Sequence, residues 1–209
     1  MSLRVRHALG EPSLLLAEGD GSGPSLVLLH GVTRAHADWS ALLGRLGKAW
    51  RVIAVDQRGH GLSGRTDRYL VLDYVADAVR LVRDVVGELV TILGHSLGAM
   101  VAAGVAAALP ELMRAVVLED PPFQALGRRI AGSAWQTHFA GMREAAEQGG
   151  SVEVLAAALA AICLPAPGGG SVRLGEIRTR DALRWSAACL ACLDPDVLTP
   201  VVEGRWLEV

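Results

Sequence analysis

The sequence predicts an α/β fold built on a mostly parallel, doubly wound sheet. Three observations carry that expectation. The apolar runs Ser25-Leu-Val-Leu-Leu-His30, Arg51-Val-Ile-Ala-Val-Asp56, Val90-Thr-Ile-Leu93 and Ala115-Val-Val-Leu-Glu119 have the composition of buried strands, the first two and the third covered on both faces. Segments of helical composition separate them, and this alternation gives a parallel sheet with helices on either side. The stretch Gly94-His-Ser-Leu-Gly98 joins one of these strands directly to an Ala-rich helix, so strand, sharp turn and helix follow without a break.

Taken in order, Leu3 to His7 and Ser13 to Glu18 read as two short strands joined through Gly10-Glu-Pro12, a hairpin on the sheet edge. The turn cluster Glu18-Gly-Asp-Gly-Ser-Gly-Pro24 ends it. After the strand that closes at His30, a loop runs to Trp39 and a short helix spans Ala41 to Leu46. Asp73 is placed to cap a helix from Tyr74 to Val86. Val75, Val79, Val82 and Val86 share one face of it, while Asp77, Arg80, Arg83 and Asp84 lie largely off that face. The Ala-rich helix after Gly98 runs to Leu109 and closes at Pro110, and the strand Ala115 to Glu119 is stopped by Asp120-Pro121-Pro122. Beyond Phe123 the pattern changes: Gly132 to Gln148, Val152 to Leu164, Asp181 to Leu193 and Asp196 to Glu203 look helical, and no further strand is expected. The expected organisation is a sheet domain over residues 1–122 and a helical segment over residues 123–209.

Composition narrows the function. Twenty basic against 22 acidic residues give a net charge of -2 with no block of like charge, which speaks against nucleic acid as a partner. Hydrophobic residues make up 51% of the chain, yet no run of membrane-spanning length escapes interruption, so no membrane span is expected. The first seven residues, Met1 to His7, lack the apolar core of a signal peptide, and a cytoplasmic protein is the expectation. Cys163, Cys189 and Cys192 are an odd, late cluster that argues against a disulfide framework. Cys189 and Cys192 lie three apart in a helical segment and read as small buried residues, not as a redox or zinc pair.

The chemistry converges on one edge of the sheet. Ligands on an open α/β sheet bind outside the carboxyl ends of its strands. Those ends carry His30, Asp56, Ser96 and Asp120. A serine on a sharp turn holds its hydroxyl clear of the backbone, and the helix starting there directs free N–H groups at any developing negative charge.

Leu28-Leu-His-Gly-Val32, Asp56-Gln-Arg-Gly-His-Gly-Leu-Ser63 and Gly94-His-Ser-Leu-Gly98 occur in this order and together resemble the α/β-hydrolase superfamily. They are similar to its oxyanion strand and loop, its D-x-R-G-x-G-x-S loop and its nucleophile elbow. The resemblance implies an α/β-hydrolase sheet with a helical cap after residue 122, and Ser96 as nucleophile. It implies an oxyanion hole from the N–H groups of Val32 and Leu97. The family's acid usually follows the strand after the one ending at Glu119 but in some members sits at the end of this strand, so Asp120 is a candidate acid, with Glu119 behind it; otherwise Asp120 shapes the turn before Pro121-Pro122. His30, Gly31, Trp39, His95 and His138 are candidate pocket residues; His30 also reads as loop support, Trp39 as packing behind the loop and His138 as a packing residue. Asp56, Arg58, His60 and Ser63 suit a turn held by side-chain hydrogen bonds. The implied activity is hydrolysis of a small ester, lactone or related carbonyl compound, with no metal or organic cofactor.

One departure stands out. In this family the histidine of the triad follows the acid late in the chain. Here the histidines are His7, His30, His36, His60, His95 and His138, with none later. The resemblance therefore implies a chain without its final strands and base, on the order of 60 residues at about 30 per βα unit. Loss of a triad member costs on the order of 10⁴ to 10⁶ in rate. An uncovered edge at the strand ending in Glu119 would favour self-association. A non-catalytic binding or scaffold protein is the alternative, and acyl transfer, cofactor-free haloperoxidation and carbon–carbon bond hydrolysis are related chemistries on the same elbow.

Overall fold

The computed structural model describes residues 3–8, 10–46, 48–123, 127–166 and 169–208. Two compact units divide the chain, Met1–Phe123 and Gln124–Glu208.

The first unit holds a six-stranded sheet. Strands β1 (Leu3–Ala8), β2 (Leu14–Gly19), β3 (Ser25–Leu29), β4 (Arg51–Asp56), β5 (Val90–His95) and β6 (Met113–Glu119) lie in the spatial order β1-β2-β4-β3-β5-β6. β1 and β2 are an antiparallel hairpin, β2 runs antiparallel to β4, and β4, β3, β5 and β6 are mutually parallel. Register aligns the ends of the central strands, because Leu29 stands opposite both Val55 and Gly94. His30, Asp56 and Ser96 therefore leave the sheet at one edge.

Helices cover both faces, which is why every residue of β3 is apolar or small and buried. On one face Trp39 and Leu43, the latter from α1 (Ser40–Leu46), pack on Ala17, Leu26, Leu28, Val52 and Ala54. α2 (Val71–Arg80) packs against α3 (Leu97–Ala108), close enough that a Cβ at Gly104 would stand 2.5 Å from Val75 Cγ2.

Several expectations need correcting. α2 begins at Val71 with Leu70 as its N-cap, and Asp73 sits inside the first turn, where its carboxylate accepts the Leu70 N–H at 2.9 Å. The helix then widens into a π-helical turn, Leu81–Val86, before Gly87 stops it at φ 67. Asp77, expected off the buried face, is 5% exposed because a guanidinium from Arg58 meets it there. β6, whose apolar run reads as a buried strand, lies at the sheet edge expected of a chain without the later strands, and Val117 and Leu118 are 47% and 40% exposed.

The second unit is mainly helical: α4 (Ala134–Gln148), α5 (Val152–Ala161), α6 (Leu174–Ile177), α7 (Arg180–Ala191) and α8 (Thr199–Val202). Ser133, Ser151 and Thr179 cap the three longest, each side-chain oxygen accepting an N–H three residues on. α5 ends before the expected Leu164, because Cys163–Pro165 (β7) pairs with Ser171–Arg173 (β8) in a small unexpected hairpin. Cys189 is buried in α7, but Cys192 is its exposed C-cap and not the buried residue expected. No single helix among the described residues is long and apolar enough to cross a membrane.

Candidate active site

The site is built around Ser96, where β5 stops and α3 starts. Its backbone is held at φ 52, ψ -112, a conformation L-residues rarely adopt. Three main-chain bonds hold it there: its N–H donates to Glu119 O on β6 at 2.9 Å, and its carbonyl accepts from Ala99 at 3.0 Å and Met100 at 3.2 Å. The flanking glycines are required by space. A Cβ on Gly94 would lie 2.0 Å from Gly98 O, and one on Gly98 would lie 2.0 Å from Leu29 O. The Ser96 hydroxyl is half-buried and forms no hydrogen bond among the described residues.

The loop after β3 lies directly against this turn. A Cβ on Gly31 would stand 3.3 Å from Ser96 Cβ and 2.9 Å from His95 Nδ1, so any larger residue there would crowd the two side chains at the turn. Val32 follows, and neither its N–H nor that of Leu97 is drawn into a hydrogen bond among the described residues. An N–H group left open in the first turn of a helix is a donor that can receive negative charge.

Behind the loop stand two imidazoles. His30 is 1% exposed; its Nε2 accepts the Gln57 N–H at 3.1 Å, so the proton is on Nδ1, which donates to Gly31 O at 2.7 Å. Burial, with the neighbouring His60 adding to it, drives the His30 pKa down to about 3. His60 is arranged alike, its Nε2 accepting Thr33 N–H at 3.2 Å and its Nδ1–H donating to Arg58 O at 2.8 Å. The two rings meet edge to face with centroids 4.9 Å apart.

Side-chain bonds secure the loop that follows β4. The buried Asp56 carboxylate accepts from the His36 N–H at 2.7 Å, from His36 Nδ1 at 2.9 Å and from the Leu62 N–H at 3.2 Å. Burial works against the Asp56 charge, but the bonds from His36 outweigh it and its pKa falls; the same bonds raise that of His36. Ser63 donates to Asp56 O and accepts the Leu15 N–H at 2.8 Å.

Ser96, Leu97, Gly31, Val32 and His95 thus come together in the first unit. His30 is enclosed with both nitrogens engaged, which leaves it supporting the loop. Trp39, a candidate pocket residue, belongs to the core on the sheet face, because its short 3₁₀ turn, His36–Trp39, docks there. Asp120 follows β6, exposed and at φ 48. His138 lies in the second unit on α4, with Trp135 and Phe139 rings 5.8 Å and 5.4 Å away. Burial, with Arg178 adding to it, lowers its pKa. The His36–Asp56 pair has no signal in the sequence, since its members are 20 residues apart and only the loop's path joins them. Among the described residues no group of three or more His, Cys, Asp or Glu could hold a metal ion.

A sheet of this order with a serine on a strained strand-to-helix turn defines an α/β hydrolase. Residues 24–152 match the family model for the alpha/beta hydrolase fold, and the chain belongs to that family. It is 42% identical over 101 residues to a 2-(acetamidomethylene)succinate hydrolase of Mesorhizobium japonicum, covering 48% of this chain and 36% of the relative. To an N-formylmaleamate deformylase of Pseudomonas putida it is 32% identical over 130 residues, 60% of this chain and 47% of the relative. The chain therefore spans about a third to a half of the length of these relatives. Among solved structures, E-2-(acetamidomethylene)succinate hydrolase matches with a TM-score of 0.61 at 27% identity, covering 96% of this chain and 78% of the other. An N-formylmaleamic acid deformylase from Pseudomonas putida S16 matches in fold, with a TM-score of 0.74 at 23% identity and coverage of 97% and 73%.

Proposed function

We propose that the protein is a serine hydrolase in which Ser96 attacks the carbonyl carbon of a small ester, lactone or amide-like acyl compound. The single observation that carries this is the backbone of Ser96, held at φ 52 between a strand and a helix N-terminus, with Gly31 packed against it. A strained residue of this kind persists only where its surroundings over-determine it.

In the reaction, Ser96 Oγ forms a bond to the carbonyl carbon while the carbonyl π electrons move onto oxygen. The N–H groups of Val32 and Leu97 receive that charge, a contribution of about 3 kcal/mol per donor in related chemistry. Collapse of the adduct expels the alcohol or amine, which takes up the proton removed from Ser96; water then adds to the acyl carbon, the bond to Oγ breaks, and the acid leaves as Oγ regains a proton. A base must take the Ser96 proton, and no imidazole among the described residues is bonded to Oγ; we assign that role to none of them. The second unit, which carries His138, would act as a helical cap. The relatives include epoxide hydrolases as well as a deformylase and an acetamidomethylenesuccinate hydrolase, so attack on a carbonyl is argued from the serine at position 96 and not from their names.

A non-catalytic binding protein is the second reading, favoured by the hydroxyl without a bonded base. A fluorophosphonate probe separates the two. Labelling of the folded protein that disappears in Ser96→Ala supports the hydrolase; an unlabelled, folded protein supports the binding module.

A further inference from the structure

We propose that His30 and His60 are positioning residues that clamp the backbone on both sides of Val32 and so aim its N–H at the oxyanion. The inference rests on the serine-hydrolase reading and adds to it the device that orients one donor.

A trans peptide holds its carbonyl and its N–H in one plane, pointing in opposite directions. Gripping the Gly31 carbonyl therefore fixes the direction of the Val32 N–H. That carbonyl is gripped twice, by His30 Nδ1–H at 2.7 Å and by the Arg34 N–H at 3.2 Å. The next plane, which joins the Val32 carbonyl to the Thr33 N–H, is fixed by His60 Nε2 at 3.2 Å. With both planes set, neither backbone dihedral of Val32 is free. Thr33 itself is at φ 65, unusual for a β-branched residue, and the His60 bond is what holds it there.

Each imidazole also needs the right tautomer, and each has a partner that imposes it. The Gln57 N–H pointing at His30 Nε2 leaves the proton on Nδ1. The Arg58 carbonyl accepting from His60 Nδ1 leaves Nε2 as the acceptor. Burial keeps His30 neutral, so its role as donor to Gly31 and acceptor from Gln57 persists through the working pH range. Neither ring has to touch substrate for this purpose.

The test needs one variant that removes the nitrogen and one that restores it. His60→Phe keeps the volume and loses the acceptor, whereas His60→Gln can return an oxygen to the Nε2 position. His30→Phe and His30→Asn are the matching pair, Asn offering an N–H near Nδ1. Amide hydrogen exchange at Val32 and Thr33 is read beside Kd for phenylboronic acid, which adds to Ser96 Oγ and places an anionic boronate oxygen at the donors. For His60→Phe the expected result is Thr33 exchange faster by about 10-fold or more and boronate binding weaker by about 10- to 100-fold. His60→Gln should stay near wild type in both, and Val27 to Leu29 amides should be unchanged throughout. Equal Thr33 exchange in wild type and His60→Phe overturns the clamp, as does equal boronate affinity in a wild type that binds through Ser96. A wild type whose boronate binding does not depend on Ser96 removes the hydrolase reading instead, and the exchange rates alone then decide the clamp. Should His30→Phe not fold, the His60 pair carries the decision.

Discussion

Asp77 meets the guanidinium of Arg58 with both carboxylate oxygens, 2.6 Å from Nε and 3.0 Å from Nη2, and both side chains are nearly enclosed. The same guanidinium donates to Arg68 O at 3.1 Å, and the Arg58 carbonyl holds His60. Breaking a buried pair from one side strands the remaining charge. Asp77→Ala should therefore lose about 3–5 kcal/mol of stability. Replacing both by apolar residues, Arg58→Met with Asp77→Leu, should cost clearly less. Urea unfolding of the two variants checks this, and equal losses would refute the argument.

Glycine is needed at position 98 for space and is dispensable at position 44. A Cβ on Gly98 would meet Leu29 O at 2.0 Å and His30 O at 2.8 Å, both backbone atoms that cannot yield, whereas one on Gly44 in α1 meets nothing within 4 Å. Gly98→Ala should lose about 3 kcal/mol or more, if it folds. Gly44→Ala should gain about 0.5–1 kcal/mol from helix propensity and a less costly unfolded chain. Thermal melts of the two variants should move in opposite directions.

Acid should destabilise the first unit through His30. Its folded pKa of about 3 lies below the unfolded value, so the unfolded chain takes up a proton that the native one refuses. Stability attributable to His30 is then complete above about pH 6.5 and falls as pH drops toward 3, by about 2 kcal/mol between pH 7 and pH 5. His138, also lowered, adds in the same sense, while the raised His36 opposes it. Urea midpoints at pH 7 and pH 5 for wild type and His30→Asn isolate the effect: the variant should lose about 2 kcal/mol less over the interval. An identical loss in both would show that His30 is not the cause.

The parts of the fold that were legible in the chain are those whose physics is local. β3 and β4 announce themselves because burial on both faces demands an unbroken apolar run, and the elbow does so because Gly94 and Gly98 answer a collision visible in any strand-turn-helix. Helical periodicity ranks Asp77 by its own polarity and so places it off the buried face; only the partner, Arg58, 19 residues away, decides its burial. Trp39 is legible as buried but not as core or pocket, since that depends on which face its turn docks upon. β7 and β8, three residues each, are too short to leave a pattern. His36 carries no motif, and nothing before the structure pairs it with Asp56.

Ser96 itself offers the test that joins stability to function. At φ 52, ψ -112 any side chain is strained, by about 1–3 kcal/mol, whereas glycine reaches that mirror-image region without strain. Glycine also makes the unfolded chain more flexible, which costs about 0.5–1 kcal/mol. The first effect outweighs the second, so Ser96→Gly should be more stable than wild type by about 1 kcal/mol. Ser96→Ala keeps the Cβ and hence the strain, and should leave stability near wild type. Both remove Oγ and both should abolish fluorophosphonate labelling. A residue retained for packing alone would give the reverse, loss of stability on going to glycine. Differential scanning calorimetry of the three proteins, with labelling run on the same samples, decides whether the strain at Ser96 is maintained for the hydroxyl it presents.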